Sequence, residues 1–120
     1  MTSKSNDHGR GYEYICLLSL YEAIKKIRTA QIVKNSSFMA AETVWDSLES
    51  HEQALYSLSA KSTIDIIFAL EPNLIENTPD MLSLYIQKDK NGEEADVRDI
   101  IIERKDITWE IGLSIKHNHM

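Results

Sequence analysis

Along the first quarter of the chain apolar residues recur at spacings of three and four. Leu17, Leu20, Ile24 and Ile27 form one seam with Lys25, Lys26 and Arg28 turned away, which predicts a long helix over residues 11–33. Glu13 falls on the same seam, four residues before Leu17, and so brings a carboxylate to the buried face of that helix. Its structural reading is a charge near the helix N-terminus, favoured by the dipole by about 0.3–1 kcal/mol, with one edge in solvent.

Asn35-Ser36-Ser37 interrupts the periodicity and offers N-cap side chains for a second helix over residues 38–50, striped by Ala41, Val44, Trp45 and Leu48. A third helical stretch from His51 carries Ala54, Leu55 and Leu58. Ser62 with Asp65 three residues later resembles a capping box and predicts a fourth helix that ends before Pro72. Residues 72–80, with two prolines and two asparagines, read as a loop. Beyond it the period changes to two: Leu82, Leu84 and Ile86 share one face of a strand, residues 97–104 form a second, and residues 108–116 a third. Lys90-Asn91-Gly92 and Lys105-Asp106 mark the turns between them. The fold class expected is α/β in an α+β order, helices first and then a three-stranded antiparallel meander, within a single domain over residues 1–120 behind a flexible polar leader, residues 1–10.

Composition alters this picture little. A chain of 120 residues, 42% hydrophobic and 27% charged, can bury a core without disulfides or metal staples. The net charge of −6 is the wrong sign for a protein that coats nucleic acid by counterion release alone. Cys16 has no second cysteine to pair with, which fits a reducing compartment and makes the cytoplasm the expected location. No apolar run approaches the roughly 20 residues of a membrane helix, and the polar N-terminus does not read as a secretory signal.

The candidate chemistry lies on the last two strands, which read Ala95-Asp96-Val97-Arg98-Asp99-Ile100 and Trp109-Glu110-Ile111-Gly112-Leu113-Ser114-Ile115-Lys116-His117-Asn118. Metal-assisted hydrolysis of a phosphodiester needs a carboxylate for Mg²⁺, a second ligand, and a cation near the attacking water or the developing charge. Acid on one strand and acid-x-Lys on its neighbour is the logic of the PD-(D/E)xK nucleases. Ser114-Ile115-Lys116 occupies the acid-x-Lys place, with a serine where a carboxylate is usual. Glu110 shares the face of Ser114 but lies about 13 Å along the strand, too far to replace it. Glu13 is therefore the candidate for the missing acid.

Gly9-Arg10-Gly11-Tyr12-Glu13-Tyr14-Ile15-Cys16, Ile67-Phe68-Ala69-Leu70-Glu71-Pro72, Asp96-Val97-Arg98-Asp99-Ile100 and above all residues 109–119 resemble HaeIII-type restriction endonucleases along nearly the whole chain. The resemblance implies a type II restriction endonuclease, similar to the PD-(D/E)xK nucleases, that hydrolyses double-stranded DNA at GGCC with Mg²⁺ and works in the cell beside a cognate DNA methyltransferase. It implies Asp99 as the metal-binding acid of the second strand and Lys116 as the catalytic lysine, with Asp96 as the competing metal ligand, Ser114 beside the lysine, and Glu13 completing the set. Asp96 and Asp99 are three apart and so face opposite sides of a regular strand. Asp99 is favoured because a tight turn near Asp106-Ile107 brings it opposite Ser114, although a bulge would reverse the choice.

Other patterns read as structure. Pro79-Asp80 followed by Glu103-Arg104-Lys105 fits the nuclease motif as written, but Asp80 precedes the first strand and the second triplet sits at a charged turn. His117 and His119 read as a surface tail, and Trp45 and Trp109 as packing residues. Because chains of the resembled family are longer, the sequence is expected to be an N-terminal portion with an incomplete restriction-endonuclease-like core. Its alternative role is then an inactive remnant or interaction module that requires a missing C-terminal half or self-associates through an unpaired strand edge.

Overall fold

A computed structural model describes residues 4–87, 99–104 and 110–113, with side chains from residue 9 onward. Helix α1 spans Lys4–Lys25, strand β1 Ala30–Ile32, helix α2 Ser36–Ser47 and helix α3 Ser50–Leu70. A short 3-10 helix, Pro72–Ile75, leads to β2 (Leu82–Ile86), β3 (Ile100–Arg104) and β4 (Glu110–Leu113). The mixed class, with helices ahead of an antiparallel meander, is the one expected from the periodicities.

The sheet has four strands in the order β1-β2-β3-β4. β1 runs parallel to β2, with Ala30 opposite Leu82 and Ile32 opposite Leu84. β2, β3 and β4 are antiparallel neighbours, Leu84 facing Ile102 and Ile102 facing Ile111. The predicted helix over residues 11–33 is therefore two elements. α1 starts earlier, at Lys4, and closes at Lys25, where the Ile27 and Arg28 N–H groups both turn back to the Ile24 carbonyl at 2.9 and 3.0 Å. β1 then emerges from the segment whose Ile27 had extended the helical seam. Three residues are too few to show a period of two, so β1 owes its conformation to its partner β2.

The predicted break near Ser62 is also absent, since α3 is continuous. The Ser62 hydroxyl donates back to the Ser59 carbonyl at 2.8 Å, a bond within the helix rather than a cap. The capping box sits at Glu49 and Glu52 instead, where the Glu49 N–H donates to Glu52 Oε1 at 3.1 Å.

Leu17, Leu20 and Ile24 of α1 are fully buried against Leu82, Leu84 and Ile86 of β2 and Ile100 and Ile102 of β3, with Phe38, Ala41, Ala60 and Leu74 closing the core. Gly11 marks the closest approach of α1 to α2, since a Cβ there would stand 2.8 Å from Leu48 Cδ1. Asn35 joins two layers. Its Oδ1 accepts the Phe38 N–H at 2.8 Å and caps α2, while its Nδ2 donates to the Ile86 carbonyl at 3.0 Å. Asn35→Ala is therefore expected to cost about 1–2 kcal/mol, the cap together with one tertiary bond, measured as a lowered urea midpoint. Asn35→Asp, which keeps the acceptor and loses the donor, should fall between.

Candidate active site

Asp99 stands at the mouth of β3, half-buried, with its backbone bonded on both sides. Its carbonyl accepts the Gln87 N–H at 2.8 Å, continuing the register of β2, and its own N–H donates to the Leu113 carbonyl at 2.8 Å. Leu113 is also the register partner of Ile100. Two residues of one strand thus meet one of the other, the arrangement of a β-bulge, which re-aims the side chain of the extra residue. The register of β3 against β4 centres between Asp106 and Ile107, the spacing required of the turn from sequence.

Glu13 is half-buried on α1 and continues the buried seam of Leu17, Leu20 and Ile24. Because α1 begins at Lys4, Glu13 lies in the body of the helix, and the expected stabilisation by the N-terminal dipole does not apply. Glu13 and Asp99 nevertheless occupy the same end of the sheet. Next to Glu13, the Tyr14 ring packs on Phe38 at 5.5 Å, and Phe38 caps onto Asn35, whose amide holds Ile86, the residue before Gln87. The opposite end of α1 is fixed by Arg28 against Asp80, ahead of β2. The helix from Glu13 to Ile24, about 16 Å long, matches the strand from Leu82 to Gln87, about 17 Å.

Two carboxylates at one end of a sheet are hard oxygen donors of the kind that suit Mg²⁺. No group of three His, Cys, Asp or Glu side chains able to hold a metal occurs among the described residues. Asp96, Ser114 and Lys116, the other members of the expected set, lie outside the described residues, as do Trp109, His117 and His119. Cys16 is no competing nucleophile. Burial pushes its thiol up to about 11, so it is protonated and packed in the core.

The motif match at Asp80 is a structural site. Asp80 Oδ1 accepts Arg28 Nη2 at 2.8 Å, its Oδ2 accepts Arg104 Nε at 2.6 Å, and the Thr78 hydroxyl donates to Oδ1. Glu103 alternates to the other face of β3 from Arg104 and accepts the Tyr85 hydroxyl at 2.7 Å, so Asp80 and Glu103 cannot share a metal. Sequence reading treated both motif segments as charged loop ends and missed that Arg104 reaches Asp80. The signal was the register itself, which pairs Leu82 with Arg104.

The bond from Arg104, then that from Thr78, then the two guanidinium charges hold the Asp80 carboxyl down at about 2. A carboxylate with a depressed folded value contributes stability that is whole above its unfolded value, about 3.9, and is lost as pH falls from there through about 2. The difference in urea midpoint between the parent and Asp80→Asn should accordingly be constant above pH 5 and close as pH falls from 4 towards 2, roughly the window between those two values. A difference that stays constant down to pH 2 would remove the network from the acid response.

A family model described as "HaeIII restriction endonuclease" matches residues 9–120. Type II restriction enzyme HaeIII from Haemophilus aegyptius is 44% identical over 119 residues, which cover 99% of this chain and 37% of that enzyme. The chain thus spans well under half the length of the relative it matches. No solved structure matches it.

Proposed function

The chain belongs to the HaeIII restriction endonuclease family, and from that membership we propose that it carries catalytic residues of a type II endonuclease that hydrolyses double-stranded DNA with Mg²⁺. The observation that supports this reading most directly is the common end of the sheet occupied by Glu13 and Asp99, two acids 86 positions apart in a chain that packs its helices on one sheet. In the proposed site Glu13 and Asp99 hold Mg²⁺, with Asp96 as the alternative ligand from β3. The ion would supply Lewis acidity at the scissile phosphate.

Lys116 then carries the ammonium that stabilises developing negative charge or assists deprotonation of the attacking water. Ser114, a hydroxyl in the place of an acid, contributes a neutral oxygen beside it. The site read is GGCC by resemblance. The partners are duplex DNA and a cognate methyltransferase that protects the host's own sites, and the setting is the cytoplasm. Among the described residues no helix is long and apolar enough to cross a membrane.

The second reading is an inactive remnant or interaction module, favoured by the 37% share of the relative that the chain spans. Incubation of purified chain with plasmid DNA, with and without Mg²⁺, separates the two. Metal-dependent cleavage that Lys116→Ala abolishes is the expected result. Intact plasmid under every condition would assign the chain to the second reading.

A further inference from the structure

We propose that the outward face of α3 is a self-association surface, which pairs antiparallel with the same face of a second copy about a two-fold axis at Ser62. This inference stands apart from the catalytic reading and uses none of its residues. Inward, α3 sets Tyr56, Ala60, Ile64 and Ile67 against the core, and the Ser59 hydroxyl lies 2.7 Å from the Tyr12 hydroxyl of α1. A helix with one buried side normally turns polar residues to solvent. Here Leu55, Leu58, Ile66 and Leu70 are 61, 68, 60 and 72% exposed, more than half of the large apolar side chains that stand out from the described surface. A contiguous patch of this kind marks an interaction site rather than a scatter of exposed residues.

The order of the residues points to a second copy. Ala54, Leu58, Ser62, Ile66 and Leu70 form one row at a spacing of four, the ridge that interdigitates in the commonest class of helix packing. The row is symmetric about Ser62. Leu58 and Ile66 lie four residues either side, and Leu55 and Ala69 lie seven, so a two-fold axis through Ser62 sets apolar residue on apolar residue along the whole contact. Ser62 is small enough to let two helices approach at the centre. Its hydroxyl already donates to the Ser59 carbonyl at 2.8 Å, so removing water from it strands no donor.

Charge agrees with the same axis. Lys61 and Asp65 lie on one flank of the row, and the two-fold sets Lys61 of each copy beside Asp65 of the other. A single helix face offers less than the roughly 800 Å² per partner of a standard interface, so the dimer is weak and concentration-dependent.

Sedimentation equilibrium of the purified chain over a wide concentration range tests this. The apparent mass is expected to rise from 13.7 kDa towards twice that value, and Ile66→Glu to remain monomeric throughout while its far-ultraviolet circular dichroism matches the parent. Lys61→Glu alone and Asp65→Lys alone should each weaken dimerisation by about three- to tenfold. Mixed together they should form a heterodimer tighter than either homodimer, because the mixture restores both ion pairs. An intrahelical Lys61 and Asp65 pair would give no such preference. A chain that stays monomeric at every concentration, a dimer that survives Ile66→Glu, or a mixture no tighter than its components would each overturn the proposal.

Discussion

Arg28→Ala is expected to lower the stability of the folded chain by about 3–5 kcal/mol, the cost of breaking a buried ion pair by removing one partner. The Arg28 side chain is wholly inaccessible to solvent. Its Nη1 donates to the Asn73 carbonyl at 2.9 Å, and its Nη2 to Thr78 Oγ1 and Asp80 Oδ1, each at 2.8 Å. One guanidinium thereby binds the turn after α1 to the 3-10 helix and to the approach into β2. Removing it strands a buried carbonyl and leaves Asp80 with Arg104 as its remaining guanidinium. Natural domains hold only about 5–15 kcal/mol in total, so Arg28→Ala should move the urea midpoint more than any surface change. Arg28→Lys keeps the charge but lacks the planar fork that serves three acceptors, and it should recover a minor part of the loss. A midpoint for Arg28→Ala within about 1 kcal/mol of the parent, the range of an exposed ion pair, would mean that the network adds little.

The place of Arg28 explains what the sequence could and could not disclose. Leu17, Leu20 and Ile24 announced the buried side of α1, and Leu82, Leu84 and Ile86 the buried side of β2, because each element repeats its own period often enough to be read locally. Arg28 continued the same helical count on its polar side, and was read as solvated. In the fold the helix has already ended, and Arg28 turns inward towards an acid 52 residues away. No local pattern carries that information, since a lone arginine is ordinarily exposed. β1 was hidden for the same reason, as its pairing with β2 crosses α2 and α3.

α3 gives the complementary case. Leu55 and Leu58 have helical spacing but lie on its exposed side, while Ala60 and Tyr56 face inward. Periodicity located the helix and left open which of its two apolar faces the core would take. In the candidate site the residue types and the register were legible, from Asp99 on β3 to the turn centre between Asp106 and Ile107. The bulge that ties both Asp99 and Ile100 to Leu113 was not, because it depends on how three strands meet.

In the Mg²⁺-dependent cleavage that the proposed function requires, Lys116→Ala is expected to lower the rate by about 10²–10³-fold, the usual cost of losing one group that stabilises transition-state charge. The ligand changes should leave a different mark. Asp99→Asn keeps the size of the side chain and removes its charge, so it should both slow cleavage and raise the Mg²⁺ concentration for half-maximal rate, because a hard cation binds a neutral amide more weakly than a carboxylate. Glu13→Gln should repeat that pattern if the acid from α1 completes the set, whereas a purely structural Glu13 would change the urea midpoint and leave the Mg²⁺ dependence alone. Asp96→Asn distinguishes the two aspartates, since whichever of them binds the ion is the one whose loss shifts the Mg²⁺ requirement. Glu103→Gln supplies the contrast. Its carboxylate is engaged by the Tyr85 hydroxyl, on the face of β3 away from the Arg104 and Asp80 pair, and cleavage should proceed at the parental rate and Mg²⁺ dependence. A Lys116→Ala chain that cleaves as fast as the parent would show that the charge is stabilised elsewhere. Loss of Mg²⁺ dependence through Glu103 rather than Asp99 would return the chemistry to the motif that Asp80 and its two arginines have here turned to structure.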